Sequence, residues 1–374
     1  MDRMSREESL FGDLPDALVK ELLDATLPVA QSVREHIHRL QQERESLRQQ
    51  AKQLGLIQRK ADLDVLSEPS VVGVDGSYQI HRLTAFDLCA AAAVAVEGTV
   101  KEAKRHWPEP HHSFWIGIVP HRGQPSSVLR GLMVSLEIEL ASKAPHELVL
   151  LDGSFASLII YINQGVSQLE EVAHPLSSAL RERWASGDVF RSLLSLLRDK
   201  RVAAIPKFTS HNELSAAGIQ VAEEVDGKTL ATIVLEPGEY TKPLPLGRPP
   251  SPYHLPEPAD NRKLNEAMQE LRVIYFRPYG WTAAVRIEVP STTARSNTFL
   301  SKVLEGIQRQ FLSPAVREPY PLFLADRIVK SLGAGINVAE QVVAQQIAEE
   351  SVDVETTLLF LQNYRTESGR GDTA

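Results

Sequence analysis

The order of apolar and polar positions predicts a chain in which β-strands and α-helices alternate. A β-branched run at residues 70–80, SVVGVDGSYQI, predicts a strand that ends in an Asp-Gly turn. The apolar segment 85–96 shows no alternation, as expected for a central strand covered on both faces. Shorter apolar runs predict strands at residues 113–119, 148–151, 202–205, 230–235, 271–276 and 283–289. Helical spacing predicts helices at residues 128–141, 176–197, 299–311, 322–332 and 338–347.

The N-terminal segment, residues 6–56, has the periodicity of a long helix. Its apolar positions follow the 4-3 spacing of a helical seam: Val33, Ile37, Leu40, Leu47, Ala51 and Leu54. Arg44 interrupts this seam. The helix could pack on its own domain, which the short and interrupted seam slightly favours, or it could be an arm that pairs with another subunit.

Two further segments have compositions that oppose regular structure. Residues 236–260 contain eight prolines and predict a long extended loop. That loop is either a surface excursion or a lid that faces a substrate or a partner. The tail after Tyr364, RTESGRGDTA, is predicted to be disordered.

Composition and charge exclude several classes of protein. The chain has 374 residues, of which 43% are hydrophobic and 24% charged, so it is predicted to fold into globular domains. The single cysteine, Cys89, excludes an internal disulfide framework and a cysteine-rich zinc module. A net charge of −8 excludes a histone-like polycation, although residues 262–330 carry a net +5 that could face an anionic ligand. We find neither an apolar run long enough to span a membrane nor a signal core after the first charges, and we expect a cytosolic protein.

A repeated Asp-Gly-Ser motif is the strongest candidate for chemistry. Asp75 and Asp152 each follow an apolar strand and precede Gly-Ser. Carboxylates at the rim of a sheet could share a divalent cation, because hard ions prefer several carboxylate oxygens in a small volume. Asp-Gly is also the commonest hairpin turn, so one copy alone would favour a structural role. Two identical copies make the metal interpretation about as good as the turn.

Three other charged positions could complete such a site. Glu137 and Glu139 lie two apart on a predicted helix, so at most one of them faces the sheet, and Glu137 lies on the more apolar edge. Lys207 follows a predicted strand and could neutralise a phosphate or a leaving oxygen, or it could be an ordinary surface lysine. Asp326 could close the metal site from the far side, or it could pair with Arg327 or Lys330.

Taken in order, these segments resemble the NurA nuclease family of prokaryotic DNA end-processing. The matching segments run from about Val71 to Lys330 and read VGVDGS, SLEIELA, VLLDGS, IPKFTS, VRIEVP and YPLFLADR. The resemblance implies an α/β fold of the RNase-H-like (PIWI-like) type, with a mixed sheet flanked by helices and an N-terminal helical arm. It also divides the chain into the arm at 1–66, a nuclease domain at 67–350 that carries the proline-rich loop 236–260, and a C-terminal helix remnant with a disordered tail at 351–374.

The same resemblance implies function, partners and site residues. The expected activity is Mn²⁺- or Mg²⁺-dependent hydrolysis of DNA in end resection and double-strand break repair, by a cytoplasmic homodimer working beside the HerA hexameric ATPase translocase. By position it maps Asp75, Glu137 and Asp152 onto the metal carboxylates and Lys207 onto the basic residue of the site. It places Asp326 in the C-terminal motif. No membrane partner is implied.

The chemistry of metal-dependent hydrolysis suggests a different role for each group of these residues. Asp75, Glu137 and Asp152 would hold one or two Mn²⁺ or Mg²⁺ ions, which activate water and stabilise the leaving 3′ oxygen. Lys207 would contact the scissile phosphate. Arg277 and Arg286, in the basic region 262–330, would hold the DNA backbone without sequence preference.

Other interpretations stay open or carry less weight. The chain could be a catalytically silent dimeric scaffold that binds DNA and docks on a translocase, or an RNase-H-like enzyme that acts on RNA. Asp226-Gly227-Lys228-Thr229 lacks the first glycine of a phosphate-binding loop and is interpreted as a hairpin turn. A histidine-rich loop with two tryptophans, at residues 106–121, fits an ordinary surface loop better than DNA contact, and DNA contact better than zinc. Cys89 is expected to be an inert core thiol.

Overall fold

The computed structural model describes most of the chain. The described residues are 14–64, 67–99, 105–121, 123–172, 175–208, 211–222, 225–247, 249, 251–350 and 353–368. Parts of several sequence-based predictions lie outside the described residues: 6–13 and 65–66 of the N-terminal arm, 209–210 of the segment IPKFTS, 248 and 250 of the proline-rich loop, and 351–352 and 369–374 of the C-terminal segment. Among the described residues, no helix combines the length and apolar character that a bilayer crossing requires.

Eleven strands are described in one sheet. They are β1 (Ile57–Arg59), β2 (Val71–Leu83), β3 (Asp87–Glu97), β4 (His111–Val119), β5 (Leu148–Asp152), β6 (Val202–Ile205), β7 (Glu239–Thr241), β8 (Leu244–Pro245), β9 (Leu271–Phe276), β10 (Val285–Pro290) and β11 (Asn363–Ser368).

Thirteen helices are described around it. They are α1 (Asp16–Gln53), α2 (Pro125–Lys143), α3 (Phe155–Ser167), α4 (Leu176–Ala185), α5 (Asp188–Leu196), α6 (Glu213–Ala216), α7 (Gly227–Val234), α8 (Asn261–Gln269), α9 (Ser291–Ala294), α10 (Asn297–Gln310), α11 (Tyr320–Lys330), α12 (Leu332–Glu350) and α13 (Val354–Phe360).

The strand order confirms the predicted fold class. The order is β1-β7-β9-β10-β6-β5-β2-β3-β4, with β11 on β2 and β8 on β9. Strands β2, β3 and β4 form an antiparallel meander, whereas β2, β5 and β6 run parallel to one another. An antiparallel meander whose first strand is followed by two parallel strands is the RNase-H-like arrangement, here extended by antiparallel β10 and β9.

The central strands are buried because helices cover both faces of the sheet. Successive residues of β5 point to opposite sides: Val149 and Leu151 join a core formed with α2, α3, α4 and α5, while Leu148 and Leu150 join a core formed with α10. Strand β2 is buried along nearly its whole length. Strand β3 is apolar without alternation because it is covered on both faces, as predicted. Cys89 is fully buried in this strand.

The first Asp-Gly-Ser motif is not a turn, which corrects the prediction. Strand β2 continues through Asp75, Gly76 and Ser77, and each of them pairs with a residue of β3. The second copy behaves as expected: β5 ends at Asp152, Gly153 has a φ of +84°, and Ser154 caps α3. Identical local sequences thus adopt different backbones, because only the first has a long antiparallel partner beyond the motif.

One prediction was wrong in the continuity of a helix, and another was wrong in the type of element. The helix predicted at 176–197 is two helices, α4 and α5, which Gly187 separates with a φ of +71°. The strand predicted at 230–235 lies within helix α7 and its C-cap, and Asp226 caps this helix by accepting hydrogen bonds from the amides of Lys228 and Thr229. The Asp226-Gly227 step is therefore a helix start and not a hairpin turn.

Two predicted irregular segments contribute strands. The proline-rich segment contains β7 and β8, each of which pairs with β9. The tail predicted as disordered begins with β11, which pairs with the far end of β2. Pairing with strands that are distant in the sequence stabilises these short strands, although their local composition opposes regular structure. The sequence also did not predict β1, α3, α6, α8 and α9.

The end of the long helix α1 packs on the rest of the domain, as one interpretation of its seam expected. Leu47 and Ala51 are buried in a small core with Leu230 and Ala231 of α7. The first part of the helix is exposed, including Val33 at 51%. Only the end of α1 therefore packs on its own domain, and its first half extends away.

Arg286 and Arg277, both expected to hold the DNA backbone, have contacts within the protein; Arg286 is buried, which opposes its expected role, whereas Arg277 is half-buried and its role stays a prediction. Arg286 is 1% exposed and forms ion pairs with Glu213, at 2.5 Å, and with Glu288. Glu288 also accepts a hydrogen bond from the Phe155 amide at the start of α3. Arg277 donates to backbone carbonyls, among them Leu235 at 2.8 Å.

We predict that Arg286→Met lowers the free energy of unfolding by about 3–5 kcal/mol, because two buried carboxylates lose their shared partner. Urea unfolding monitored by circular dichroism measures this. The matched control is Arg262→Met, since Arg262 is 82% exposed on the surface of α8 and its loss should leave stability close to wild type. Equal stability of the two variants would contradict a central role for the buried network.

Candidate metal centre

Neighbouring parallel strands bring two aspartates side by side. Val74 of β2 pairs with Leu151 of β5, and the next residue in each strand is the aspartate of the motif. Asp75 is 1% exposed and Asp152 is 3% exposed. The Asp75 carboxylate also accepts a hydrogen bond from the amide of Gly76 at 2.7 Å. The parallel register places equivalent positions of β2 and β5 side by side, and the aspartates of the two motif copies are therefore neighbours.

Asp326 of α11 supplies the third carboxylate. One carboxylate oxygen from each of Asp75, Asp152 and Asp326 lies within 4.8 Å of the others. We call these three residues the acidic cluster. Among the described residues, no other group of three potential metal ligands is this close. Two buried aspartates and a half-buried third at this spacing suit a hard divalent cation, so the residues present fit such an ion.

Gly73 allows α11 to lie directly on the sheet. A Cβ atom at this position would be 2.6 Å from the Leu322 amide nitrogen and 2.7 Å from the carbonyl carbon of Pro321. The backbone of α11 thus reaches β2 at a distance that only glycine permits. Asp326, one turn further along α11, is held over Asp75 as a result.

Glu137 lies beside the acidic cluster and is not one of its three members. It belongs to α2, on the opposite face of the sheet from α11, and it is 3% exposed. Its Oε1 would be 2.4 Å from a Cβ atom at Gly76, the residue after Asp75. Glu139 points elsewhere, and its Oε1 lies 3.4 Å from Arg183 Nε. Of the two glutamates, Glu137 is the one that lies next to Asp75, and its expected role as a metal ligand stays a prediction.

Lys207 lies among the carboxylates, as its position after β6 suggested. Its Nζ is 3.0 Å from Asp152 Oδ2, 3.1 Å from Glu318 Oε2 and 3.4 Å from Asp326 Oδ1. Burial lowers the pKa of Lys207, but the charges of Asp152, Glu318 and Asp75 outweigh it, and the net shift is upward. Lys207 therefore stays protonated and acts as the internal counter-ion of the site.

Glu318 is a member of the site that sequence reasoning missed. Burial raises its pKa, and Lys207 opposes that rise. Glu318 precedes Pro319 at the start of α11, two residues before the YPLFLADR segment. In the sequence, Glu318 is only a carboxylate near the segment YPLFLADR. No pattern in the neighbouring residues indicates that its side chain reaches Lys207.

Residues of the histidine-rich segment form a cluster of rings with His146. Trp107 and His111 stack at a centroid distance of 4.0 Å, and both Trp107 and His106 contact the ring of His146 edge-on. His121 lies elsewhere, 2.9 Å from Asp87. Burial lowers the pKa of His146 to about 4, opposed by the charge of Glu97.

Comparison with known proteins agrees with the geometry. A family model described as the NurA domain matches residues 69–331. The crystal structure of the NurA nuclease from Sulfolobus solfataricus is similar with a TM-score of 0.56 and 14% identity, over 89% of this chain and 98% of that one. At this identity the structural likeness shows the fold.

Two other NurA structures are less similar. One has a TM-score of 0.47 at 15% identity, over 88% of this chain and 99% of that one. Another, bound to dAMP and manganese, has a TM-score of 0.45 at 15% identity, over 80% of this chain and 93% of that one. No curated protein matches the chain significantly.

Replacement of Lys207 by methionine should destabilise the protein when divalent cations are absent. Three carboxylates lose a shared ammonium, and we expect the free energy of unfolding to fall by about 1–3 kcal/mol. Mn²⁺ should stabilise the variant more than the wild type in thermal melts. Lys330→Met is the control, because Lys330 is 69% exposed and, among the described residues, its one ion pair is with Asp326. Indistinguishable melts for the two variants would refute the counter-ion role.

His146 should make stability depend on pH between 6.5 and 4. Because the pKa of His146 is lowered in the folded state, the unfolded chain takes up its proton first as the pH falls. The free energy of unfolding should therefore fall by about 2–3 kcal/mol across this window, with no further loss below it. Urea titrations of wild type and His146→Phe isolate the contribution, and parallel pH profiles would contradict it.

Proposed function

Because the chain belongs to the NurA family, we propose that it is a divalent-metal-dependent nuclease that hydrolyses phosphodiester bonds in DNA. The observation that carries the proposal is the acidic cluster: three carboxylates from β2, β5 and α11 whose oxygens approach within 4.8 Å. Lys207 adds one positive charge at its edge. A phosphodiester approaching such a cluster needs a divalent cation to offset the repulsion between anions.

Asp75, Asp152 and Asp326 would hold Mn²⁺ or Mg²⁺. When bound, the metal supplies Lewis-acid activation of the phosphate and of the attacking water. Buried aspartates suit this task because strands β2 and β5 hold two of them rigidly and α11 holds the third against Gly73. Glu137 lies beside Gly76, the residue after Asp75, and it is the candidate for a fourth ligand.

Lys207 would contact the scissile phosphate. Its ammonium already lies among carboxylates that a cation would neutralise, so binding of a divalent ion would release Lys207 from part of its pairing. Glu318 stays within 3.1 Å and would keep the lysine directed at the site. A protonated lysine can then offset negative charge that develops on the phosphate oxygens.

We further propose a cytoplasmic homodimer that works in DNA end resection and repair with a HerA-type hexameric ATPase. Membership in the NurA family supports this context. The exposed first half of α1, with Leu27 at 74% and Val33 at 51%, supports an N-terminal arm available to a second copy. The division into an arm at 1–66, a nuclease domain at 67–350 and a C-terminal segment at 351–374 stays a proposal, in which β11 now ties the last segment to β2.

Asp75→Asn and Asp152→Asn should each reduce Mn²⁺-dependent cleavage of DNA by about 100-fold or more, with the fold intact. The assay uses end-labelled single- and double-stranded DNA, with Mn²⁺ binding measured by calorimetry. Asp188→Asn is the matched control, since Asp188 is 72% exposed on α5 and should cleave like wild type. Full activity in both cluster variants would refute the site.

The same assay compares Asp326→Asn with Glu137→Gln. If the acidic cluster binds the metal, Asp326→Asn weakens Mn²⁺ binding more than Glu137→Gln does. Wild-type protein that neither binds Mn²⁺ nor cleaves DNA would instead support the alternative function, a catalytically silent NurA-like scaffold that binds DNA. Preference for RNA in substrate competition would redirect the assignment to a ribonuclease.

A further inference from the structure

A cavity of about 720 Å³ lies next to the acidic cluster. Lys207 forms part of its wall, and the same side chain reaches Asp152 at 3.0 Å. Ser154, two residues after Asp152, also lines the cavity. The cavity and the acidic cluster therefore share a wall, and a ligand could occupy both at once. Its volume is within the range of pockets that bind small organic groups.

Apolar and aromatic side chains form much of the cavity. Ile160 and Leu246 line it, together with Tyr253 and Phe208. Phe208 directly follows Lys207 and is 92% exposed, which is unusual for a phenylalanine. An aromatic ring presented openly beside a phosphate-binding lysine is suited to stack on a nucleobase.

Tyr253 gives the cavity a fixed second aromatic group. Its amide donates to Asn265 Oδ1 at 2.9 Å, and Asn265 Nδ2 donates to its carbonyl at 2.8 Å. These two bonds tie the loop before α8 to that helix. Burial and the charge of Glu288 raise the pKa of Tyr253, so its ring stays neutral.

The positive groups around the cavity are already engaged. Arg286 is paired with Glu213 and Glu288. Lys228 Nζ donates to the Lys207 carbonyl at 3.2 Å, and Asp226 caps the start of α7. The cavity is therefore poorly suited to a second phosphate and better suited to an uncharged, flat group.

We propose that this cavity receives one unpaired nucleobase of a DNA strand whose adjacent phosphate lies at the acidic cluster, with Phe208 as the stacking residue. The inference rests on the proposed nuclease function and specifies its substrate. A base can enter only after leaving its partner in the duplex. The base that enters must therefore be unpaired when it binds, whether in a single strand, at a frayed end or flipped out of a duplex.

The test combines a protein variant with a DNA lesion. Wild type, Phe208→Ala and Phe208→Trp are assayed with Mn²⁺ on single strands that carry one abasic residue at successive positions. For wild type, kcat/KM should fall about 5- to 150-fold when the abasic residue occupies the cavity position, because one stacking contact is lost. Phe208→Ala should show a loss of that order on intact DNA and little further loss on the abasic strand, whereas Phe208→Trp retains activity and abasic sensitivity.

The effects of Phe208→Ala and of the abasic residue on kcat/KM should thus not be additive, which distinguishes base stacking from a merely structural role of Phe208. Phe114→Ala is the matched control, since Phe114 is 62% exposed on β4, and it should behave as wild type. If wild type cleaves DNA but no abasic position matters, or if the two losses multiply, the base-binding inference is overturned and the nuclease function stands. If wild type cleaves no DNA, the nuclease proposal fails and this inference fails with it.

Discussion

Concentrated negative charge is the constraint on which the rest of this structure depends. Asp75, Asp152 and Asp326 bring carboxylate oxygens within 4.8 Å of one another in a buried place, with Glu318 nearby. Such a group is unfavourable unless positive charge compensates it. Lys207 supplies part of that charge, and its raised pKa is the direct consequence. The remaining negative charge explains why the site suits a divalent cation.

The surrounding fold keeps these charges from separating. Strands β2 and β5 fix the two motif aspartates through parallel register, and the absence of a side chain at Gly73 lets α11 rest on the sheet. Helices on both faces bury the strands that carry the carboxylates. Rigid elements hold a reactive constellation more accurately than loops do.

Lys207 also stands between two chemically different environments. On one side lies the acidic cluster, and on the other a cavity whose wall includes the aromatic side chains of Phe208 and Tyr253. A nucleotide likewise has two chemically different parts, a charged phosphate and a flat, largely apolar base. One side chain could thus align the substrate by its contact with the phosphate while the neighbouring ring receives the base.

The sequence by itself determined the elements with strong periodicity and the pair of aspartates that follow matching apolar runs. It predicted β2, β3, β5, β6 and the acidic residues at 75, 152 and 326 as candidates. Local patterns are enough to predict these strands and residues, because a buried central strand or a repeated motif can be recognised from a few neighbouring residues.

Tertiary structure decided which carboxylates meet and which charges are internal. The predicted partner Glu137 lies on the helix of the opposite face, while Asp326 and Glu318 approach through α11. Arg286 looked like a DNA ligand by composition, yet Glu213 and Glu288 hold it in the core. The two Asp-Gly-Ser copies differ for the same reason: identical residues extend a strand or end one according to the partner strand that tertiary packing provides.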